Sequence, residues 1–109
     1  MSNCNYKMLS SNKIGNILYC EDCDEMMIGI GTFILKFKEE QSKIFLKALK
    51  STAQEYHEKR NYECDKVFLK TPVNNLMIAL NMKELTQSIE LLDLAFLKIE
   101  IDKLITVKA

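Results

Sequence analysis

Twice along this chain a pair of short β-rich runs leads into a long amphipathic helix, and that alternation limits the fold more than any other feature. The first run covers residues 14–19, Ile-Gly-Asn-Ile-Leu-Tyr. A longer run covers 26–37 and carries Ile28, Ile30, Phe33, Ile34, Leu35 and Phe37, the β-branched and aromatic enrichment of a strand. Gly29 and Gly31 within it mark a bulge or a close backbone approach. Between the two runs lies an acidic turn, Cys20-Glu21-Asp22-Cys23-Asp24-Glu25, so a hairpin with a cysteine pair at its tip is expected. The spacing then predicts a helix over 38–59, where Ile44, Phe45, Ala48, Leu49, Ala53 and Tyr56 recur every three or four residues. Glu39 and Glu40 open it and Lys59 and Arg60 close it, as the helix dipole favours.

The second half repeats the scheme. Residues 61–65 are a polar break. Runs at 67–70 and 76–80 flank Thr71-Pro72-Val73-Asn74-Asn75, whose Pro and Asn supply turn angles, and give a second hairpin. Asn81 reads as an N-cap, with Glu84 three residues on to complete a capping box. A second helix is expected over 82–103, although 98–102 alternates and also fits a strand. Lys38-Glu39 and Ile44 recur as Lys83-Glu84 and Ile89 at one offset, which fits either a ββα duplication or two similar helices arrived at by pattern alone.

The fold class expected from this is α+β, two-layered, in ββαββα order: one four-stranded, mainly antiparallel sheet with both helices on one face. With 109 residues and 48% of them hydrophobic, residues 13–109 suffice for a single domain with one core. The polar stretch 1–12 is expected to be a flexible N-terminal arm.

Charge narrows the function classes. Lys plus Arg and Asp plus Glu are 15 each, for a net charge of zero. A nucleic-acid binder carries a basic surplus or stripe, so nucleic acid is not the expected partner. No apolar run approaches the roughly 18 residues of a membrane span, and the start of the chain lacks the basic and apolar regions of a leader. The expected setting is the cytoplasm, where four cysteines serve as thiols or metal ligands rather than disulfides.

Cys20-x-x-Cys23 is the most informative chemical feature. Two thiolates three residues apart on a tight turn can grip one zinc ion, and zinc asks for four ligands. Cys64 is the expected third ligand. Cys4, His57, Asp22 and Asp24 are further candidates, and free thiols at a surface turn are the plainer alternative. A redox pair is the other chemical reading. The four surrounding carboxylates disfavour a thiolate, however, and the pair precedes a strand rather than a helix. His57 with Cys64 and Glu58 has the residue types of a nucleophile dyad, but its charged neighbours describe a solvated helix face. Gly29-Ile30-Gly31 lacks the Lys-Ser/Thr and the helix start of a phosphate loop. On the second helix, Leu91, Leu94, Leu97 and Ile101 fall outside the stripe Leu85–Ile89–Leu92–Phe96–Ile99, an apolar excess that marks a homodimer or partner interface.

The run Gly15-Asn16-Ile17, Tyr19-Cys20-x-x-Cys23, Ile28-Gly29-Ile30-Gly31 and a helix opening with acidic residues resembles, over 14–50, a family of small uncharacterised bacterial proteins known only as a domain of unknown function. That resemblance implies no catalytic residues. The function expected from the whole sequence is a non-enzymatic cytoplasmic protein that acts through self-association or partner binding, with a structural zinc at Cys20, Cys23 and Cys64. The alternative is a thiol redox protein or enzyme using Cys20 and Cys23.

Overall fold

The computed structural model describes residues 5–59, 67–71 and 75–108. Its strands are β1 (Lys7–Ser11), β2 (Gly15–Cys20), β3 (Glu25–Ile30), β4 (Phe33–Phe37), β5 (Val67–Lys70) and β6 (Met77–Leu80). Its helices are α1 (Glu39–Lys59), after β4, and α2 (Met82–Lys108), after β6. The class is α+β, with a four-stranded antiparallel sheet and two helices. The order is ββββαββα, two strands more than the sequence pattern predicts.

All four strands of the main sheet come from residues 7–37, in the order β1-β2-β3-β4. The run at 26–37 is therefore two strands rather than one. Gly31 and Thr32 form a two-residue connection between the paired Ile30 and Phe33. Gly31 has φ 59° there, a left-handed angle at the first loop position, as in a type II′ turn. Residues 7–11, assigned by polarity to a flexible arm, form β1 instead. They pair with β2 across a bulge between Met8 and Ser10. The Asn12 side chain closes this hairpin by accepting from the amides of Ile14 (3.0 Å) and Gly15 (3.3 Å).

Alternation along the strands selects one face for burial. Ile17, Ile28 and Leu35 form one row across β2, β3 and β4, and Tyr19, Met26 and Phe37 form the next; all six are buried. α2 lies against β1 and β2, while α1 reaches β3 and β4 and packs along α2. α1 inserts Phe45 and Leu49, with Phe45 edge-to-face on Phe37 at 5.6 Å between centroids. α2 inserts Leu85, Leu91, Leu92, Ala95 and Ile99. Two serines are fully buried on the helices, and each donates back to a carbonyl four residues earlier: Ser42 to Lys38 and Ser88 to Glu84. β1 is held to α2 by polar hooks as well. Ser10 Oγ donates to the Leu91 carbonyl at 2.7 Å and Asn12 Nδ2 to that of Gln87 at 2.9 Å.

The hairpin of β5 and β6 does not join the main sheet but forms a two-stranded sheet of its own. It contributes Leu69, Ile78 and Leu80 to the common core and leaves Phe68 and Met77 outside. The capping box at α2 forms as expected: Asn81 Oδ1 accepts from the Glu84 amide at 2.7 Å, and Glu84 Oε1 accepts from the Asn81 amide at 2.9 Å. α2 then runs unbroken to Lys108, so the alternating stretch at 98–102 is helical. Ile99 faces the core and Ile101 faces out. Among the described residues, no helix is long and apolar enough to cross a membrane.

Gly15 is required by a close approach. A Cβ there would lie 1.8 Å from the carbonyl oxygen of Gly29 on the paired strand. Gly15→Ala is expected to cost about 1–3 kcal/mol through the forced shift of two strands. Asn81→Ala is expected to cost about 1 kcal/mol through the lost cap. Urea unfolding of each variant against the wild type measures both losses.

Candidate functional site

The turn at Glu21–Asp24 closes the β2–β3 hairpin, with Cys20 opposite Glu25. Its Asp24 adopts φ 48°, an angle that Asp tolerates, and its amide donates to the Glu21 carbonyl at 3.3 Å. Asp24 Oδ1 also accepts from the Glu39 amide at 3.1 Å, so the turn caps the start of α1 from fifteen residues away. The backbone amide of Lys38 donates to Gln41 Oε1 at 2.9 Å and completes the helix start.

The two cysteines of this turn have different environments. Strand register puts Cys20 on the same face as Glu25, the face opposite the Tyr19–Met26–Phe37 row. Cys20 is nonetheless buried, and it stands apart from the main core cluster. It is a free thiol. Cys23 is exposed and disulfide-bonded. Cys4 and Cys64 lie outside the described residues, as does the side chain of His57. Among the described residues, no group of three or more His, Cys, Asp or Glu could hold a metal ion. A disulfide sulfur carries no thiolate, so zinc at Cys20 and Cys23 requires the Cys23 bond to be reduced first.

On the inner side of the hairpin, Glu39 joins three elements. Its Oε1 accepts from the Tyr19 hydroxyl at 3.3 Å, and its Oε2 faces Lys43 of α1 at 3.3 Å and Lys103 of α2 at 3.8 Å. Burial pushes the Tyr19 hydroxyl up to about 12, and the charges of Glu39 and Asp24 push in the same direction. Tyr6 is raised too, by desolvation and by its hydrogen bond to Glu25. Asp102 on α2 is held below the usual carboxylate range, first by its hydrogen bond from Lys7, with Lys98 adding to it. Tyr19, Asp102 and Lys103 also line a cleft of about 510 Å³, with Lys7, Tyr19 and Glu21 on one wall and Ile99, Asp102, Lys103 and Ile105 on the other. A second groove, of about 480 Å³, runs between residues 30–35 and 76–80.

The largest departure from core packing is on α2. Leu94, Leu97, Ile101, Leu104 and Ile105 are exposed by 43–63%. Three of them, Leu94, Leu97 and Ile101, stand out in the sequence as apolar excess. The fourth such residue, Leu91, is fully buried, because the core-facing side of α2 is centred on Ser88, Leu92 and Ala95 rather than on Ile89 and Phe96, which are only partly buried. Leu104 and Ile105 are hidden to a reading that ends the helix at 103. Their signal is the continued three- and four-residue spacing 94, 97, 101, 104.

Over residues 1–108 the chain matches a family of unknown function, DUF6686. The chain belongs to that family, and the match extends well beyond the 14–50 stretch that carries the sequence resemblance. No curated protein and no solved structure matches it.

The raised Tyr19 couples folding to alkaline pH. The folded protein holds this proton more tightly than the unfolded chain, so its contribution is complete below pH 10 and is lost as the pH rises from 10 towards 12. Absorbance titration of the phenolate is expected to show one tyrosine ionising near 12. Glu39→Gln is expected to lower that value only in part, since burial is the larger cause.

Proposed function

We propose that this member of DUF6686 is a non-enzymatic cytoplasmic module that works by association, through the outward face of α2. The observation that carries this reading is the line of exposed apolar side chains Leu94, Leu97, Ile101 and Leu104, on the side of the helix opposite the buried Leu85, Leu92 and Ala95. Single exposed apolar residues are ordinary on a folded surface, whereas a contiguous row on one helix face marks an interaction site. Such a face suits a partner helix laid along it. Balanced charge fits the same reading, since nothing in the composition supplies the long-range field that steers nucleic acid.

A second reading rests on the cysteine turn. Cys23 is exposed and disulfide-bonded, and Cys20 is a free thiol three residues away. In a reducing compartment this turn becomes the zinc site, with Cys20, Cys23 and Cys64 as ligands. As an exchangeable disulfide it becomes a thiol–disulfide exchange site: the Cys20 thiolate attacks Cys23 Sγ, the existing Cys23 disulfide breaks, a Cys20–Cys23 disulfide forms and the former partner sulfur leaves as a thiolate. Burial of Cys20 slows that attack.

Native mass spectrometry over a concentration series addresses both readings. Association that grows with concentration is expected for the wild type. Leu97→Glu combined with Ile101→Glu is expected to weaken it at least about tenfold, since each apolar side chain withdrawn from the interface is worth about 1 kcal/mol or more. Its melting temperature should stay close to wild type, because both sites are on the surface. A monomer at every concentration, with no protein captured by the α2 face, would overturn the association reading. In reduced samples supplied with zinc, one ion per chain that Cys20→Ser abolishes supports the metal site, and its absence removes zinc from the proposal.

A further inference from the structure

We propose that the partner on this face is a second copy of the chain, packed with the two α2 helices parallel about a two-fold axis. This rests on the association reading above and adds its geometry. Leu94, Leu97, Ile101 and Leu104 are spaced by three, four and three residues, the first and fourth positions of a heptad. Ile101 then occupies an a position and Leu97 and Leu104 occupy d positions, an arrangement that suits a parallel pair. The stripe covers eleven residues, about one and a half heptads, so it makes a short helix–helix seam rather than a full coiled coil.

Charge on the two flanks of the stripe selects the direction. One flank carries Asp93 and Glu100, both exposed. The other carries Lys98, also exposed, and Ile105. In a parallel pair the acidic flank of each helix meets the other flank of its partner, five residues further on. Asp93 of one copy then meets Lys98 of the other, twice by symmetry. In an antiparallel pair the acidic flanks face each other, so carboxylates line one seam and find no cation across it. The intrachain contacts of these residues leave the pairing open. Asp93 Oδ1 meets Lys50 at 2.9 Å and Lys98 meets Asp102 at 3.3 Å, and all four side chains except Asp102 are about half exposed. Each copy keeps its sheet on the side of α2 away from the seam, where Leu85, Leu91, Leu92 and Ala95 face inward, and α1 lies beside the Asp93 flank, which its Lys50 contacts.

Charge reversal tests the direction. In a parallel dimer Asp93→Lys puts a lysine opposite Lys98 of the second copy, and the dissociation constant is expected to rise at least about tenfold. The double exchange, Asp93→Lys with Lys98→Asp, restores the complementary pairs and is expected to bring association back to near wild type. Both variants carry the same lysine at 93 beside Lys50, so a loss caused by poorer folding would affect both alike. Thermal melts of the two check this. Sedimentation velocity at low and high salt reads the result. A wild type that stays monomeric at all concentrations defeats the pairing of two copies, and the association reading falls with it only when the α2 face also captures no other protein. A wild-type dimer that Asp93→Lys tightens or leaves unchanged defeats the parallel arrangement alone, because in an antiparallel dimer the new lysine faces Glu100.

Discussion

One face of a four-stranded antiparallel sheet has to be covered, and most of this structure follows from how that is done. β2, β3 and β4 direct Ile17, Tyr19, Met26, Ile28, Ile30, Leu35 and Phe37 to the same side, and β1 adds Leu9. A sheet with an apolar face of this kind is stable only against another layer. Neither helix covers it alone. α1 buries Ser42, Phe45 and Leu49 and reaches β3 and β4, so β1 and β2 remain for α2. The polar hooks from Ser10 and Asn12 to the carbonyls of Leu91 and Gln87 fix where along α2 the first hairpin sits. β1 is therefore held from both sides, by its ladder to β2 and by the helix across it.

Covering the sheet does not use all of α2. At about 1.5 Å of rise per residue, its 27 residues span about 40 Å, and Ile99 is its last buried position among the described side chains. The helix continues past the layer it stabilises, and its outer side carries Leu94, Leu97, Ile101, Leu104 and Ile105 between charged flanks. A helix with one buried stripe is expected to be polar elsewhere. α1 obeys this closely, with Ile44 as its exposed exception, whereas α2 does not. The proposed association face rests on this contrast between two helices in one core.

The sequence discloses what is local and conceals what depends on distant partners. The α2 capping box, the β5–β6 hairpin and the amphipathic span of α1 are legible because each lies within a few neighbouring residues. β1 is not legible: Lys7-Met8-Leu9-Ser10-Ser11 has only two apolar residues, and it becomes a strand through pairing with β2 and contact with a helix some eighty residues away. The turn at Gly31 is visible in hindsight, but a glycine inside an apolar run reads equally well as a bulge. Nothing in the spacing of Val67–Lys70 and Met77–Leu80 tells whether that hairpin extends the first sheet or stands beside it. For the cysteine pair, spacing gives proximity but not environment. Cys20 ends a strand and is buried, Cys23 lies in the turn and is exposed, and only the register separates them.

Magnitudes assign different tasks to the two kinds of residue on the outer side of α2. An exposed ion pair contributes between zero and about 1 kcal/mol, and salt weakens it further. Burying a leucine or isoleucine that is half exposed is worth about 1 kcal/mol or more, and five of them stand together here. In the proposed pairing, affinity therefore comes from the apolar row. The charges beside it add little to attraction, but facing carboxylates across a seam penalise one direction of approach, and a small penalty is enough when the alternative directions otherwise bury the same side chains. The same reasoning applies inside the molecule. Glu39, with Tyr19, Lys43 and Lys103 around it, sets how the β2–β3 turn, α1 and the end of α2 meet, while the cohesion of those elements comes from the leucines, isoleucines and phenylalanines beneath them.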